Sequence, residues 1–275
     1  MVKLGQLMQI DGGQMNVYTS GKGTNTIIFL SGGLTSSPVL DFKTLYSYLQ
    51  NDFKIVVVEK FGYGFSSDSY VSRDVDTMLE ETRQILKKKN ITSPYILAPH
   101  SMSGIEALWW IKKYPHEIKA LIGLDMANYE AYSNLKINLV GIKLCRLVVK
   151  TGITKFFQKL IDSDAVKFGT LSCEEKEIFR DMFYKNFVST AVLNEVKTVK
   201  RNAEKVREVD LKTLPLLIFS SNGRGTRIKK KDWFNIQKRI SDSSKIGEII
   251  YLDCPHYLHN HKAEDIASKI ISSEF

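Results

Sequence analysis

The 275-residue sequence predicts an α/β fold: a mostly parallel eight-stranded sheet flanked by helices and interrupted by an inserted helical cap. Three observations carry that expectation. Short, wholly apolar runs such as "TIIFL" and "PLLIF" read as strands covered on both faces. They alternate with longer segments of helical spacing, the rhythm of a parallel sheet with right-handed crossovers. The rhythm breaks once, over residues 127–209, where apolar residues recur at three and four and no buried strand is obvious. The expected division is therefore a core of residues 1–126 and 210–275 with a cap of residues 127–209.

Taken in order, "QLMQI" and "MNVY" flank "DGGQ", a hairpin with an Asp-Gly turn. The run Thr26–Leu30 is the third strand and ends at Ser31-Gly32-Gly33. A helix follows around Val39 to Gln50. Ile55–Val58 is the fourth strand, with Gly62 and Gly64 in the loop after it, and a long helix covers roughly Val75 to Lys89. "YILA" is the fifth strand. The corner His100-Ser101-Met102-Ser103-Gly104 turns directly into a helix through Trp109 and Trp110. Lys119–Asp125 is the sixth strand, with Asp125 at its carboxyl end. After the cap, Pro215–Phe219 is the seventh strand, "WFNIQKRI" a helix, Glu248–Leu252 the eighth strand and "HKAEDIASKIISSEF" a closing helix.

Composition excludes several classes. Hydrophobic residues at 43% and charged residues at 25% are ordinary for a globular domain. A core of this size needs neither a disulfide nor a metal staple. The three cysteines, Cys145, Cys173 and Cys254, are odd in number and lack metal-ligand spacing, so reduced thiols in a cytoplasmic protein are expected. The net charge of +9 is not accompanied by a nucleic-acid-binding pattern, and no nucleic-acid partner is expected. Lys87-Lys88-Lys89 closes a helix whose early part carries Glu80 and Glu81, complementing its dipole; Lys229-Lys230-Lys231 reads as a solvated loop. No apolar run reaches the length of about 18 residues that spans a bilayer. The N-terminus has no signal-peptide core, and the protein would be membrane-anchored if a leading anchor had been trimmed from the sequence.

A strand–Ser–helix corner in an open parallel sheet sets the serine at the carboxyl edge of the strands, where such folds bind ligands. The usual form is G-x-S-x-G, a turn so tight that its flanks must be small. Here Pro99 and Ser103 replace the two glycines, making a variant nucleophile elbow. At this point the chain resembles the α/β-hydrolase family. "PHSMSG" is similar to the G-H-S-M-G-G of many members, "FLSGG" to the oxyanion loop, and "EKFGYGFS" to D-x-x-G-x-G-x-S. "CPHYLHNHKAED" resembles the segment that carries the catalytic histidine. The likeness covers nearly the whole chain. The alternative for Ser101 is a buried serine capping the following helix.

What the resemblance implies is a Ser-His-Asp constellation. A serine needs a base to take its proton, and the family's histidine position after the last strand falls on His256, with His259 next in line. His100 should point away from the edge and pack beside the elbow, His116 should be exposed, and His261 should be a surface residue at the start of the last helix. Most members take their acid from the loop after the seventh strand, but here Asn222 stands in that slot and Asp232 lies too far along. Asp125, one strand earlier in "IGLDMA", is similar to the acid of pancreatic-type lipases. Adjacent strands lie about 4.8 Å apart, so a carboxylate moved over by one strand still reaches the same histidine. Asp125 is assigned as the acid; a helix cap is its bland alternative, and Glu130 a third option. The backbone N–H groups of Met102 and Gly33, with Leu34 next after Gly33, are assigned to the oxyanion hole.

The implied reaction is hydrolysis of a small-molecule carboxylic ester or related acyl bond through an acyl-enzyme, with no cofactor and no metal. An apolar acyl or aryl group would sit under the cap. The alternatives are a peptidase, lyase or haloperoxidase on the same fold, or a silent ligand-binding protein, which Asn222 in the acid slot would favour. "NLVGIKLCRLVVKTGITKFF" mixes cations with apolar residues. It could lie on a lipid surface, but a lid packed on the core is expected.

Overall fold

The computed structural model describes residues 4–133, 135–157, 162–273 and 275. Residues 158–161, in the expected cap, lie outside them.

The sheet has eight strands in the order β1-β2-β4-β3-β5-β6-β7-β8. β1 (Gln6–Ile10) and β2 (Gly13–Ser20) form the N-terminal hairpin, and Gly12 supplies the left-handed residue of its turn at φ 92°. β2 joins β4 (Lys54–Glu59) antiparallel. From there β4, β3 (Thr26–Leu30), β5 (Tyr95–Pro99), β6 (Ile118–Leu124), β7 (Leu216–Ser220) and β8 (Gly247–Tyr251) all run parallel. β3, β5 and β7 are buried at every position, which is why their sequences are continuous apolar runs rather than alternations.

The two sheet faces receive alternate residues. Ile28, Val56, Leu97, Leu121 and Ile218 join one core cluster, whose helical side includes α3 (Val75–Lys88) and α4 (Gly104–Lys113). Ile27, Ile55, Ile96, Ile122 and Leu217 join the other. There they meet the paired helices α1 (Pro38–Asp41) and α2 (Lys43–Leu49), where a single helix was expected. The joint is Phe42, fully buried against Phe29 and the ring of His259.

Between β6 and β7 the described residues hold α5 (Tyr129–Ser133), α6 (Leu139–Lys150), a 3-10 turn (Ile153–Phe157), α7 (Asp164–Phe168), α8 (Cys173–Asn186) and α9 (Thr190–Lys205). α9 buries Ala191, Val192, Val196 and Val199. It is tied to the core by Lys60, just past β4, whose ammonium lies 2.5 Å from both Glu106 of α4 and Glu195 of α9. Tyr63 donates to the second Glu195 oxygen at 2.6 Å. α6 departs from the expected lid packed on the core. Val149 is its one buried residue, and the apolar stripe faces outward.

After β7 come α10 (Lys230–Asp242) and, past β8, α11 (Leu258–His261) and α12 (Ala263–Ile271). Lys229-Lys230-Lys231 is not a loop: Lys229 directly precedes α10, its carbonyl accepting from the N–H of the buried Trp233 at 2.9 Å, and the other two open the helix. The three cysteines are free thiols, Cys254 buried and the others exposed. No helix among the described residues is long and apolar enough to cross a membrane.

Candidate active site

β5 ends at Pro99, His100 bridges to Leu124, and Ser101 turns the chain at φ 54° into a 3-10 turn that runs into α4. A left-handed conformation costs a non-glycine residue roughly 1–2 kcal/mol, so the surroundings must hold it. Ser103 does so: its hydroxyl accepts from the His100 N–H at 3.1 Å and donates to the Leu30 carbonyl at 2.6 Å. The Ser101 carbonyl accepts from Ala127 N–H at 2.8 Å. Glycine is required at 104, where a Cβ would lie 2.1 Å from the Ala127 carbonyl oxygen. Ser103, expected only to be small, thus braces the corner, and the close approach belongs to the glycine after it.

Asp125 directly follows β6 and lies in the same left-handed region, at φ 50°. Its N–H donates to Phe219 of β7 at 2.9 Å. Its buried carboxylate accepts from Ser221 N–H (2.8 Å) and Trp233 Nε1–H (2.7 Å) on Oδ1, and from the Ser221 hydroxyl (2.6 Å) on Oδ2. His256 completes the set. Its Nδ1 lies 2.5 Å from Asp125 Oδ2 and its Nε2 lies 2.8 Å from Ser101 Oγ. A carboxylate can only accept, so Nδ1 carries the proton and Nε2 presents a lone pair to the serine hydroxyl. The His256 N–H donates to the Arg224 carbonyl at 3.0 Å, and the ring meets Trp233 edge-on.

The structure thus brings Ser101, His256 and Asp125 together and takes the other candidates elsewhere. His259 is buried with Nε2 on Asp41 Oδ2 at 3.0 Å. His261 is no free surface residue: it bonds Asp164 at 2.9 Å and packs on Phe168. His116 is exposed. His100 does not point away from the edge. It lies beneath the His256 loop, with Nε2 3.2 Å from the His256 carbonyl oxygen and its ring against that of His256. Burial, then the neighbouring His259 and His256, hold its pKa well below the usual imidazole range, so it stays neutral. Asn222 bonds Asp253 at 3.1 Å, Glu130 pairs with Arg239, and Asp232 is exposed in the first turn of α10. Asp41, His100 and His259 offer donor atoms within 4.8 Å of one another, but Asp41 Oδ2 is already engaged by His259.

Ser221 and Trp233 join the site although no motif in the sequence marks them. Ser221 directly precedes the vacated acid slot, a position that could have signalled a supporting role for the β7 loop. Nothing in the sequence pairs Trp233 with Asp125 across 108 residues. On the other flank, Gly33 lies against Met102 so closely that a Cβ at residue 33 would fall 2.6 Å from Met102 Cε. Beside them a cavity of about 120 Å³ opens between the loop after β3, the residue after His256, and α8. Leu34, Phe179, Phe183, Tyr184 and Tyr257 supply much of its wall, with Arg180 paired to Asp162 at one side.

Residues 25–140 match the model of the alpha/beta hydrolase fold family. The chain belongs to this family. It is 35% identical over 240 residues to the uncharacterized protein YbdG of Bacillus subtilis (strain 168), covering 86% of this chain and 73% of that one. Among solved structures, the Bacillus megaterium epoxide hydrolase superposes with a TM-score of 0.70 at 17% identity, covering 96% of this chain and 98% of that one. A putative lipase from Acinetobacter baumannii AYE gives 0.70 at 15% identity, covering 97% and 89%. At these identities the two structures speak to the fold alone.

Proposed function

We propose that the protein is a serine hydrolase that cleaves a carboxylic ester, or a closely related acyl bond, through an acyl-enzyme. The observation that carries this reading is the unbroken relay from Ser101 Oγ to His256 to Asp125, with contacts of 2.8 and 2.5 Å. Ser101 Oγ attacks the carbonyl carbon while His256 Nε2 takes its proton. Asp125 holds the imidazole in the required tautomer and stabilises the imidazolium. The oxyanion accepts from the N–H groups of Gly33 and Met102. The C–O bond breaks as His256 protonates the leaving alkoxide. Water, deprotonated by the same nitrogen, then attacks the acyl-enzyme, and the carboxylic acid leaves as Ser101 recovers its proton.

The cap supplies a small apolar acyl pocket in this reading. A cavity near 120 Å³ is close to the size that accepts a benzene-sized group, which supports a short acyl chain or a single ring. Asp125 on His256, with Asn222 bonded elsewhere to Asp253, supports an enzyme over a silent binder. The test is labelling by a fluorophosphonate probe. Wild type should react and Ser101→Ala should not. An unreactive wild type, folded by circular dichroism, would overturn the proposal.

A further inference from the structure

α6 presents an apolar face to the outside. Its apolar residues Val140, Leu144, Leu147 and Val148 recur on one side of the helix, and they are 78%, 60%, 62% and 42% exposed. The turn after it adds Ile153 at 56% and Phe156 at 87% exposed. The opposite side is anchored by the buried Val149. A continuous outward apolar stripe of this kind is unusual on a protein surface and marks a contact site.

The charge pattern says what covers it. Residues 131–161 contain six lysines and arginines and neither aspartate nor glutamate. Lys143, Arg146 and Lys150 lie on the helix itself, Lys136 precedes it and Lys155 follows it. Among the described residues none of these five takes part in an ion pair; Lys155 lies over the Tyr184 ring. At 100° per residue, Lys143 and Lys150 flank one side of the stripe that Val140, Leu144 and Leu147 form. An apolar face with cations along its border and no acid is the composition of a helix that lies in a lipid interface. Pairing of two copies through this face would set cations against cations.

We propose that α6 and the turn to Phe156 dock on an anionic lipid surface, with Leu144, Leu147 and Phe156 entering the acyl boundary and Lys143, Arg146 and Lys150 meeting head-group phosphates. The proposal does not rest on the hydrolase reading, because its readout is binding. Whole protein is mixed with vesicles of phosphatidylcholine, or of phosphatidylcholine with about one-third phosphatidylglycerol, and bound protein is measured by flotation. Binding to the anionic vesicles is expected, falling with added salt as head-group attraction is screened. Leu144→Glu/Leu147→Glu should weaken it about tenfold or more, and Lys143→Glu/Lys150→Glu similarly. Far-UV circular dichroism and melting temperature should be unchanged in both, since the substituted positions are exposed. The proposal is overturned by absence of binding to anionic vesicles, by equal binding to neutral ones, or by folded variants that bind as wild type. Concentration-dependent dimers abolished by Leu147→Glu, without vesicle binding, would also overturn it and assign the face to a second copy.

Discussion

Replacing Asp125 by asparagine changes one atom, and the surroundings dictate which way the new side chain must lie. Two N–H donors, from Ser221 and Trp233, converge on Oδ1. If the amide nitrogen took that place, both buried donors would lose their acceptor, at roughly 1–3 kcal/mol each. The donors facing Oδ2 can adapt instead, since the Ser221 hydroxyl can rotate and His256 can change tautomer, so the amide oxygen stays on the Oδ1 side and the NH2 replaces Oδ2 opposite His256 Nδ1. It donates to Nδ1, the imidazole proton moves to Nε2, and Nε2 can no longer accept from Ser101. A wrong tautomer of this kind costs on the order of 10⁴ in kcat, equal to about 5 kcal/mol of transition-state stabilisation. The assay is steady-state hydrolysis of p-nitrophenyl butyrate by wild type, Asp125→Asn and Asn222→Ala. KM should change little for Asp125→Asn, because the substrate pocket is untouched, and Asn222→Ala should lie within a few-fold of wild type. A folded Asp125→Asn enzyme with kcat within tenfold of wild type, or a larger loss for Asn222→Ala, would refute the reasoning.

Further predictions concern the pocket, the corner and pH. Across p-nitrophenyl esters of rising chain length, kcat/KM should peak at acetate to butyrate and fall for octanoate, since the cavity is near 120 Å³. Rising activity out to octanoate would exclude this pocket as the acyl site. Gly104→Ala should destabilise by about 1–3 kcal/mol and depress kcat, because its Cβ must push the Ala127 carbonyl away from the corner. Unfolding in urea, compared with wild type, reads the first effect. Burial pushes the Glu59 carboxyl up to about 7 from 4.5, despite bonds from Asn16, Val39 and Phe65. The folded state then holds this proton more tightly than the unfolded chain. The associated stability is complete below pH 4.5 and is lost as pH rises through 7, a change of roughly 3 kcal/mol. Urea midpoints at both ends of that range should fall for wild type and fall less for Glu59→Gln; equal slopes would remove Glu59 as the source.

Much of the fold was legible because burial on both faces leaves an unambiguous mark. Runs such as Thr26–Leu30 and Leu216–Ser220 have no other use for five consecutive core positions. The candidate site was legible where function constrains residue type within a few positions: Ser101 between a strand and a helix, His256 shortly after the last strand, Asp125 at a strand end. Contacts between distant segments left no such trace. Trp233 on Asp125 and His261 on Asp164 depend on how loops cross, and period alone does not report that. The orientation of α6 was misread for a related reason. Periodicity locates an apolar stripe but does not say whether protein or something else covers it.

The acid and one of its supporting residues, Ser221, sit at the ends of the neighbouring strands β6 and β7. Asp125 is hydrogen-bonded through its own amide into the β6–β7 ladder, and Ser221 follows directly at the end of β7. Spreading the two strands would break both the ladder and the carboxylate's solvation at once. The acid half of the constellation is therefore coupled to the pairing of two strands that both lie inside the sheet edge. The histidine, by contrast, is carried on the loop beyond the edge strand β8 and is held there by loop contacts, its N–H on the Arg224 carbonyl and its own carbonyl beside His100, rather than by the ladder.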